Sequence, residues 1–245
     1  MINKYTHSKT IHNNSAAGEV LPYIFELFNP SNILDIGTGT GSWLGVAKEL
    51  GAKKVCGVDG IQVQKDMLVI SDDEFIKHDL STPLTISEKF DLAICMEVAE
   101  HLDASAADTL VDTLTRHSDI ILFSAAIPGQ GGQFHVNEQW PGYWQKKFEL
   151  KGYQAFDILR ERFWENSNIE WWYKQNMLIY AKPEKLTSLN FEPTVKVRNK
   201  IHPELFAIKM NEIDRLDKVV KDKILHPKFG SALRLLLKSI FDVTK

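Results

Sequence analysis

Residues 33–44 read ILDIGTGTGSWL, from Ile33 to Leu44. An apolar run, Asn32–Ile36, stops at three glycines on alternate positions, Gly37, Gly39 and Gly41, and a helical pattern then runs from Gly41 to Leu50. This predicts a strand, a tight turn and a helix. Glycine there lets the backbone approach a ligand closely and supplies N–H groups at a helix N-terminus. Two common phosphate-binding patterns are excluded. G-x-G-x-x-G fails at Ser42 when counted from Gly37 and at Leu44 when counted from Gly39, and no Gly-Lys-Ser/Thr follows. An acid, Asp35, precedes the glycines instead. A carboxylate at that point repels a pyrophosphate and suits a ligand carrying an ammonium or sulfonium cation.

Working outward, short apolar runs alternate with helical segments. Strands are expected at Lys54–Asp59, Glu74–His78, Phe90–Met96 and Asp119–Ser124, with a final strand pair at Tyr153–Phe163 and Trp171–Ala181. Helices are expected at Ala16–Phe28, Gln62–Met67, Ala104–Arg116, Trp140–Lys151, Pro203–Val220 and Ser231–Phe241. Such alternation predicts an α/β fold, a parallel sheet with helices on both faces. The expected organisation is a helical lead over 1–30, a sheet domain over 31–183 closed by Pro183, and a helical C-terminal extension over 184–245. Ligands of such sheets bind at loops on the carboxyl ends of the strands. There the second strand ends in Val58-Asp59-Gly60, placing a carboxylate to accept from both ribose hydroxyls. The third ends in His78-Asp79-Leu80, suited to the amino edge of a base.

Composition bounds the rest. The 245 residues are 44% apolar, 25% charged and 10% aromatic, which excludes a disordered, collagenous or disulfide-stapled chain. Cys56 and Cys95 both sit in apolar runs and read as buried free thiols of a reducing compartment. No run of about 18 apolar residues exists to span a membrane, and MINKYTHSKTIHNN lacks the apolar centre of a secretory signal. The expected location is the cytoplasm. The net charge of −3 gives no general pull toward nucleic acid. It conceals an asymmetry: residues 186–245 hold 12 Lys+Arg against 7 Asp+Glu, a balance of +5, leaving −8 for the remainder.

D-x-G-x-G-x-G, the acid ending the second strand and H-D-L after the third together resemble class I S-adenosylmethionine-dependent methyltransferases, over roughly residues 15–182. The resemblance implies a Rossmann-like, mostly parallel sheet of seven strands with an antiparallel strand in the last pair. It also implies that Asp35, Gly37 and Gly39 line the methionine part of S-adenosylmethionine, that Asp59 meets the ribose, and that Asp79 and Leu80 meet the adenine. Thr38, Gly41, Gly60 and Glu97 complete the expected cofactor set. The bare alternative for the glycines is a tight turn with no ligand.

Methyl transfer to oxygen needs an aligned acceptor and a base for its proton. The fourth strand ends in CMEVAEHL, where Glu97, Glu100 and His101 have i, i+3, i+4 spacing and would share one face of a helical turn. Two carboxylates and an imidazole can hold a divalent cation, or orient a histidine base. Glutamate near a helix start is also favourable by itself. The E-x-x-E-H string is similar to that of ubiquinone-biosynthesis O-methyltransferases and of small-RNA terminal 2′-O-methyltransferases, which implies a metal gripping vicinal hydroxyls. His135 in FHVNEQWPGYW stands where the latter group carries a distal histidine, giving Glu97, Glu100, His101 and His135 as the candidate metal set.

The loop from Ile127 to Gln139 holds Pro128-Gly129 and Gly131-Gly132, too flexible for an element interior. His135 and Glu138 are reachable there for proton abstraction, so His135, His101 and Glu138 are the candidate catalytic residues; capping of the next helix by His135 is the plainer reading. Trp140, Tyr143 and Trp144 recur at helical spacing, as core residues or as a platform for a sugar face. Trp164 and Trp171 are assigned to packing. Trp171-Trp172-Tyr173, read as the start of a strand, would send at most alternate side chains to a ligand.

GQGG-x-x-HVNEQWP-x-YW and the later IHPELF (Ile201–Phe206) resemble methyltransferases of bacterial surface-polysaccharide and glycan gene sets, which implies a sugar hydroxyl as acceptor. The leading expectation is an O-methyltransferase acting on a small-molecule or glycan hydroxyl. An RNA 2′-O-methyltransferase is the enzyme alternative, set against the acidic main domain. A non-catalytic, cofactor-binding partner subunit is the other. The tail, ending SALRLLLKSIF, is a packing or homodimer element or a peripheral membrane-surface helix.

Overall fold

The computed structural model describes residues 14–60, 63, 65–221, 230 and 233. Seven strands form one sheet: β1 Asn32–Ile36, β2 Lys54–Asp59, β3 Phe75–Lys77, β4 Leu92–Met96, β5 Ile120–Ser124, β6 Gln154–Phe156 and β7 Leu178–Ala181. Their order is β3-β2-β1-β4-β5-β7-β6, with β7 antiparallel to both neighbours and the other pairings parallel. The expected seven-stranded, mostly parallel α/β sheet is the fold observed.

The strands read as unbroken apolar runs because both faces are covered. Ile33, Val55, Ile94, Leu122 and Ile179 point to one face, where α1 (Ser15–Phe28) and α2 (Ser42–Glu49) pack. Leu34, Cys56, Cys95, Phe123 and Tyr180 point to the other, under α3 (Ala107–His117) and α4 (Pro141–Glu149). Helix α1 is part of this unit: Val20, Leu21 and Ile24 are fully buried, each contributing about 1.5–3 kcal/mol of burial. Trp144 and both cysteines are buried, and the cysteines are unpaired.

The last strand pair is shorter than its alternation suggested. Residues expected as strand form α5 (Leu159–Phe163) after β6 and α6 (Trp171–Asn176) before β7. The cause is a buried charge. Arg160 Nε and Nη2 donate to Asp157 at 2.7 and 2.5 Å, and Nη1 donates to the Gln175 carbonyl at 3.4 Å. A fully buried guanidinium needs those partners, and satisfying them folds the chain back on itself, with Leu159 and Phe163 one helical turn apart in the core. Trp171, Trp172 and Tyr173 therefore do not alternate between two faces.

The chain divides into two compact units, one through Lys200 and one from Ile201. The first extends past Pro183 because the segment beyond α7 (Pro183–Thr187) stays hydrogen-bonded to the sheet layer. Thr194 N–H donates to the Ala155 carbonyl at 2.7 Å, and Gln145 bonds the backbone of Thr194, Val195 and Val197. The second unit contains α8 (Pro203–Val220), as expected. The expected helix Ser231–Phe241 and the start of the one at Gln62 lie outside the described residues. Among the described residues no helix is long and apolar enough to cross a membrane.

Candidate active site

The candidate residues follow the strand order across the carboxyl edge of the sheet. Gly37, Gly39 and Gly41 have φ of 81°, 53° and 79°, a region costly for any residue with a β-carbon. A β-carbon on Gly37 would also collide with the Val98 side chain. The turn is fastened to β2: Gly37 and Thr38 N–H donate to the Val58 carbonyl at 2.7 and 3.1 Å, and Gly39 N–H donates to Asp59 Oδ2 at 2.9 Å. Asp59 thus holds the turn with one carboxylate oxygen.

Asp35 lies beneath the turn and is almost wholly buried. Burial pushes its carboxyl up to about 7; the Thr38 hydroxyl opposes this and the nearby Asp59 adds to it. An acid so placed is matched by a cation. Beyond β3, Asp79 is exposed and accepts from Ser81 N–H at 3.0 Å and Ser81 Oγ–H at 2.7 Å, bonds that hold its carboxyl below the usual range. Leu80 is buried in the core. Gly60 is exposed beside His78.

At the end of β4 the expected single helical face does not form. Glu97 has φ 54°, so the chain turns left-handed before the short 3-10 turn Ala99–His101. Glu97 accepts from Gln130 Nε2 at 2.8 Å and from Asn176 Nδ2 at 3.0 Å. Glu100 is fully buried, and among the described residues neither of its carboxylate oxygens makes a hydrogen bond of good geometry. Burial, then the Glu97 charge, raise its carboxyl well above the usual range.

The loop after β5 closes over this turn. Val136 and Asn137 N–H donate to the Glu100 carbonyl at 2.8 and 3.0 Å. The His101 and His135 rings meet edge to face with centroids 4.9 Å apart. Burial, then the electrostatic influence of the neighbouring His135, lower His101 to about 4, so its ring is neutral at pH 7. His135 Nδ1 lies 2.9 Å from Glu138 Oε1. Gly131 N–H also donates to Oε1, and Gly129 N–H to Oε2, both at 2.7 Å. Burial alone would raise Glu138, but the bonds from His135, Gly131 and Gly129 outweigh it and hold the carboxylate ionised. An ionised carboxylate only accepts, so Nδ1 carries a proton toward Glu138. The ring lies over Gly132, where a β-carbon would collide with Nε2.

One atom each from Glu100, His101 and His135 lie within 4.8 Å of one another, a spacing suited to one metal ion. Glu97 is not part of that group. The residues that the spacing arguments missed are Gln130, Gln175 and Asn176, all buried amides. Their partners are distant in sequence, so no local pattern marks them.

The chain matches the family described as a methyltransferase domain over residues 10–176. No curated protein sequence matches it significantly. Among solved structures it is similar to Streptomyces venezuelae DesVI, with 11% identity, 69% of this chain and 91% of that one covered, and a TM-score of 0.53. The magnesium protoporphyrin IX methyltransferase ChlM of Synechocystis PCC 6803 with bound S-adenosylhomocysteine shares 15% identity, with 74% and 90% covered and a TM-score of 0.52. The Micromonospora echinaspora amino pentose methyltransferase CalS10 shares 12%, with 74% and 99% covered and a TM-score of 0.51. At these identities the solved structures show the fold, while the family match spans most of the sheet unit, and on that match the chain belongs to the methyltransferase domain family.

Proposed function

We propose that this S-adenosylmethionine-dependent methyltransferase transfers its methyl group to a hydroxyl of a small polar acceptor, a sugar or glycan, with His135 as general base and Glu138 as its orienting partner. The carrying observation is the His135–Glu138 pair, with Nδ1 2.9 Å from Glu138 Oε1 and Nε2 lying over Gly132 of the glycine-rich loop.

The cofactor fits the residues present. Asp35 is a buried acid whose carboxyl burial pushes up to about 7, set under a turn whose three glycines have positive φ. Bound there, S-adenosylmethionine would supply an electrophilic methyl group on a sulfonium. Asp35 would face its ammonium, Asp59 the ribose, and Asp79 the adenine edge above the buried Leu80. Gly37 to Gly41 would supply close backbone contact. His135 Nε2 would take the proton of the acceptor hydroxyl as its oxygen attacks. Glu138 would stabilise the imidazolium that results. Titration with S-adenosylmethionine tests the donor half; no binding at millimolar cofactor would sink it. The acceptor half is tested with glycan and nucleotide-sugar acceptors, where His135→Ala should lose turnover and keep cofactor affinity.

The Glu100, His101 and His135 cluster favours a second reading of the same loop. A buried carboxylate and two imidazoles, each with one ligand atom within 4.8 Å of the others, fit a divalent cation, which would acidify the acceptor hydroxyl. Loss of activity on EDTA treatment, restored by a divalent metal, would move the proton-accepting role away from free His135 Nε2.

Residues 201–245 are proposed as a self-association element. Phe206, Met210, Ile213, Leu216 and Val220 are exposed and share one side of α8. The helix carries Lys209 and Lys218 beside Glu212 and Asp217, a mixed set that suits its own copy better than an anionic membrane. Mass measurement in solution should give a dimer, and liposome co-sedimentation would instead favour the membrane.

A further inference from the structure

Three buried amides join the two loops that carry the candidate chemistry. Gln130 Nε2 donates to Glu97 Oε2 at 2.8 Å, and its Oε1 accepts from Asn176 Nδ2 at 2.9 Å and Gln175 Nε2 at 3.1 Å. Asn176 Nδ2 also donates to Glu97 Oε1 at 3.0 Å, and Gln175 Nε2 to Asn176 Oδ1 at 3.1 Å. The group spans the end of β4, the loop after β5 and the last turn of α6. Buried amides are costly unless satisfied, and a satisfied network fixes one arrangement of the segments it joins.

The place of Gln130 gives that arrangement a use. It stands between Gly129 and Gly131, whose φ values are 82° and 72°. Those two glycines supply the N–H groups that grip Glu138, so the segment 129–131 bonds Glu138 through its backbone and Glu97 and Asn176 through its one side chain. Glycine-flanked backbone would otherwise sample many conformations. A small shift of a catalytic group is costly: about 1 Å of misplacement can lose roughly a hundredfold in rate.

We propose that Gln130 and Asn176 are positioning residues, which pin the Gly129–Gly131 turn so that its N–H groups hold Glu138 and Glu138 holds Nδ1 of His135. The inference rests on His135 as the base, and it adds α6 to the acceptor side of the site. It requires no bond change and no group from outside the chain.

The test is the tautomer of His135, read in the full-length protein from long-range proton–nitrogen spectra of the imidazole nitrogens, with His135→Gln to assign the signal. The wild type should show one form, protonated at Nδ1. Glu138→Gln should lose that single form and serves as the reference for a released ring. Gln130→Met keeps the side-chain volume and removes every bond of the amide, and should likewise give a mixture of the two forms. Asn176→Leu reaches the same turn from another element and should do the same, and it carries the test should Gln130→Met not fold. A single Nδ1-protonated form retained in either folded variant overturns the proposal for that residue, and its absence from the wild type overturns the whole. A fully active His135→Ala overturns the base assignment instead, so the two failures are distinct.

Discussion

The loops proposed to hold donor and acceptor, both at the carboxyl edge of the sheet, are held by different means. The glycine turn after β1 is fixed by its backbone: positive φ at three glycines and N–H bonds to Val58 and Asp59. The other side is fixed by side chains, Gln130 and Asn176 reaching across the fold to Glu97 and Glu138 bonding His135 within its own loop. A backbone-built site tolerates few residues at few positions. A side-chain-built site tolerates more, but each change loosens it.

This contrast can be broken most forcefully at Gly37. Gly37→Ala meets both a left-handed backbone and the Val98 side chain, so it should destabilise the fold by about 2–5 kcal/mol, measurable by urea denaturation. Wild-type stability there would mean that side chains, not backbone, set the donor turn. On the acceptor side, His135→Ala should lower turnover by about 10²–10⁴ with folding stability nearly unchanged. Gly132→Ala sharpens the point, since it leaves every catalytic atom present and only displaces the ring. A loss of roughly 10–100-fold in turnover is expected, with the melting temperature close to wild type.

A smaller effect separates the two sides by pH. Asp35 has its carboxyl raised to about 7, so it is neutral below that pH and cannot face an ammonium. Affinity for S-adenosylmethionine should fall by up to about tenfold per unit as pH drops below 7, and titration calorimetry of Asp35→Asn should show a flat profile. Linkage gives the sign for the empty protein. The folded state binds the proton more tightly than the unfolded one, so stability declines as pH rises from about 4 to about 7. Asp35→Asn should remove that decline. The smallest change is expected from Ile213→Lys on α8, which should weaken self-association and leave turnover unaltered; an unchanged mass would sink the dimer.

The same contrast explains what could be read ahead of the structure. The placement of Asp35, the three glycines, Asp59 and Asp79 at or just beyond strand ends was legible because local spacing carries that information. The sheet was legible for the same reason, in its alternating runs. Glu97, Glu100 and His101 misled because helical spacing was assumed where Glu97 adopts φ 54°. Trp171–Tyr173 misled because alternation cannot register a buried Arg160 that needs Asp157 and the Gln175 carbonyl. Gln130 and Asn176 gave no signal, being 46 residues apart and ordinary in type.

Helix α6 carries a metric consequence. Tyr173 meets Trp43 at the start of α2 with ring centroids 5.7 Å apart, and Asn176, three residues later, meets Glu97. One short helix therefore touches the element behind the donor turn and the network behind the acceptor loop. A single residue inserted between them would rotate Asn176 by about 100° and advance it about 1.5 Å, unhooking one contact while keeping the other. On the proposed site assignment, the alignment of methyl donor and base is gauged by the phase of a helix, so the length of α6 should resist change more than the identity of its residues.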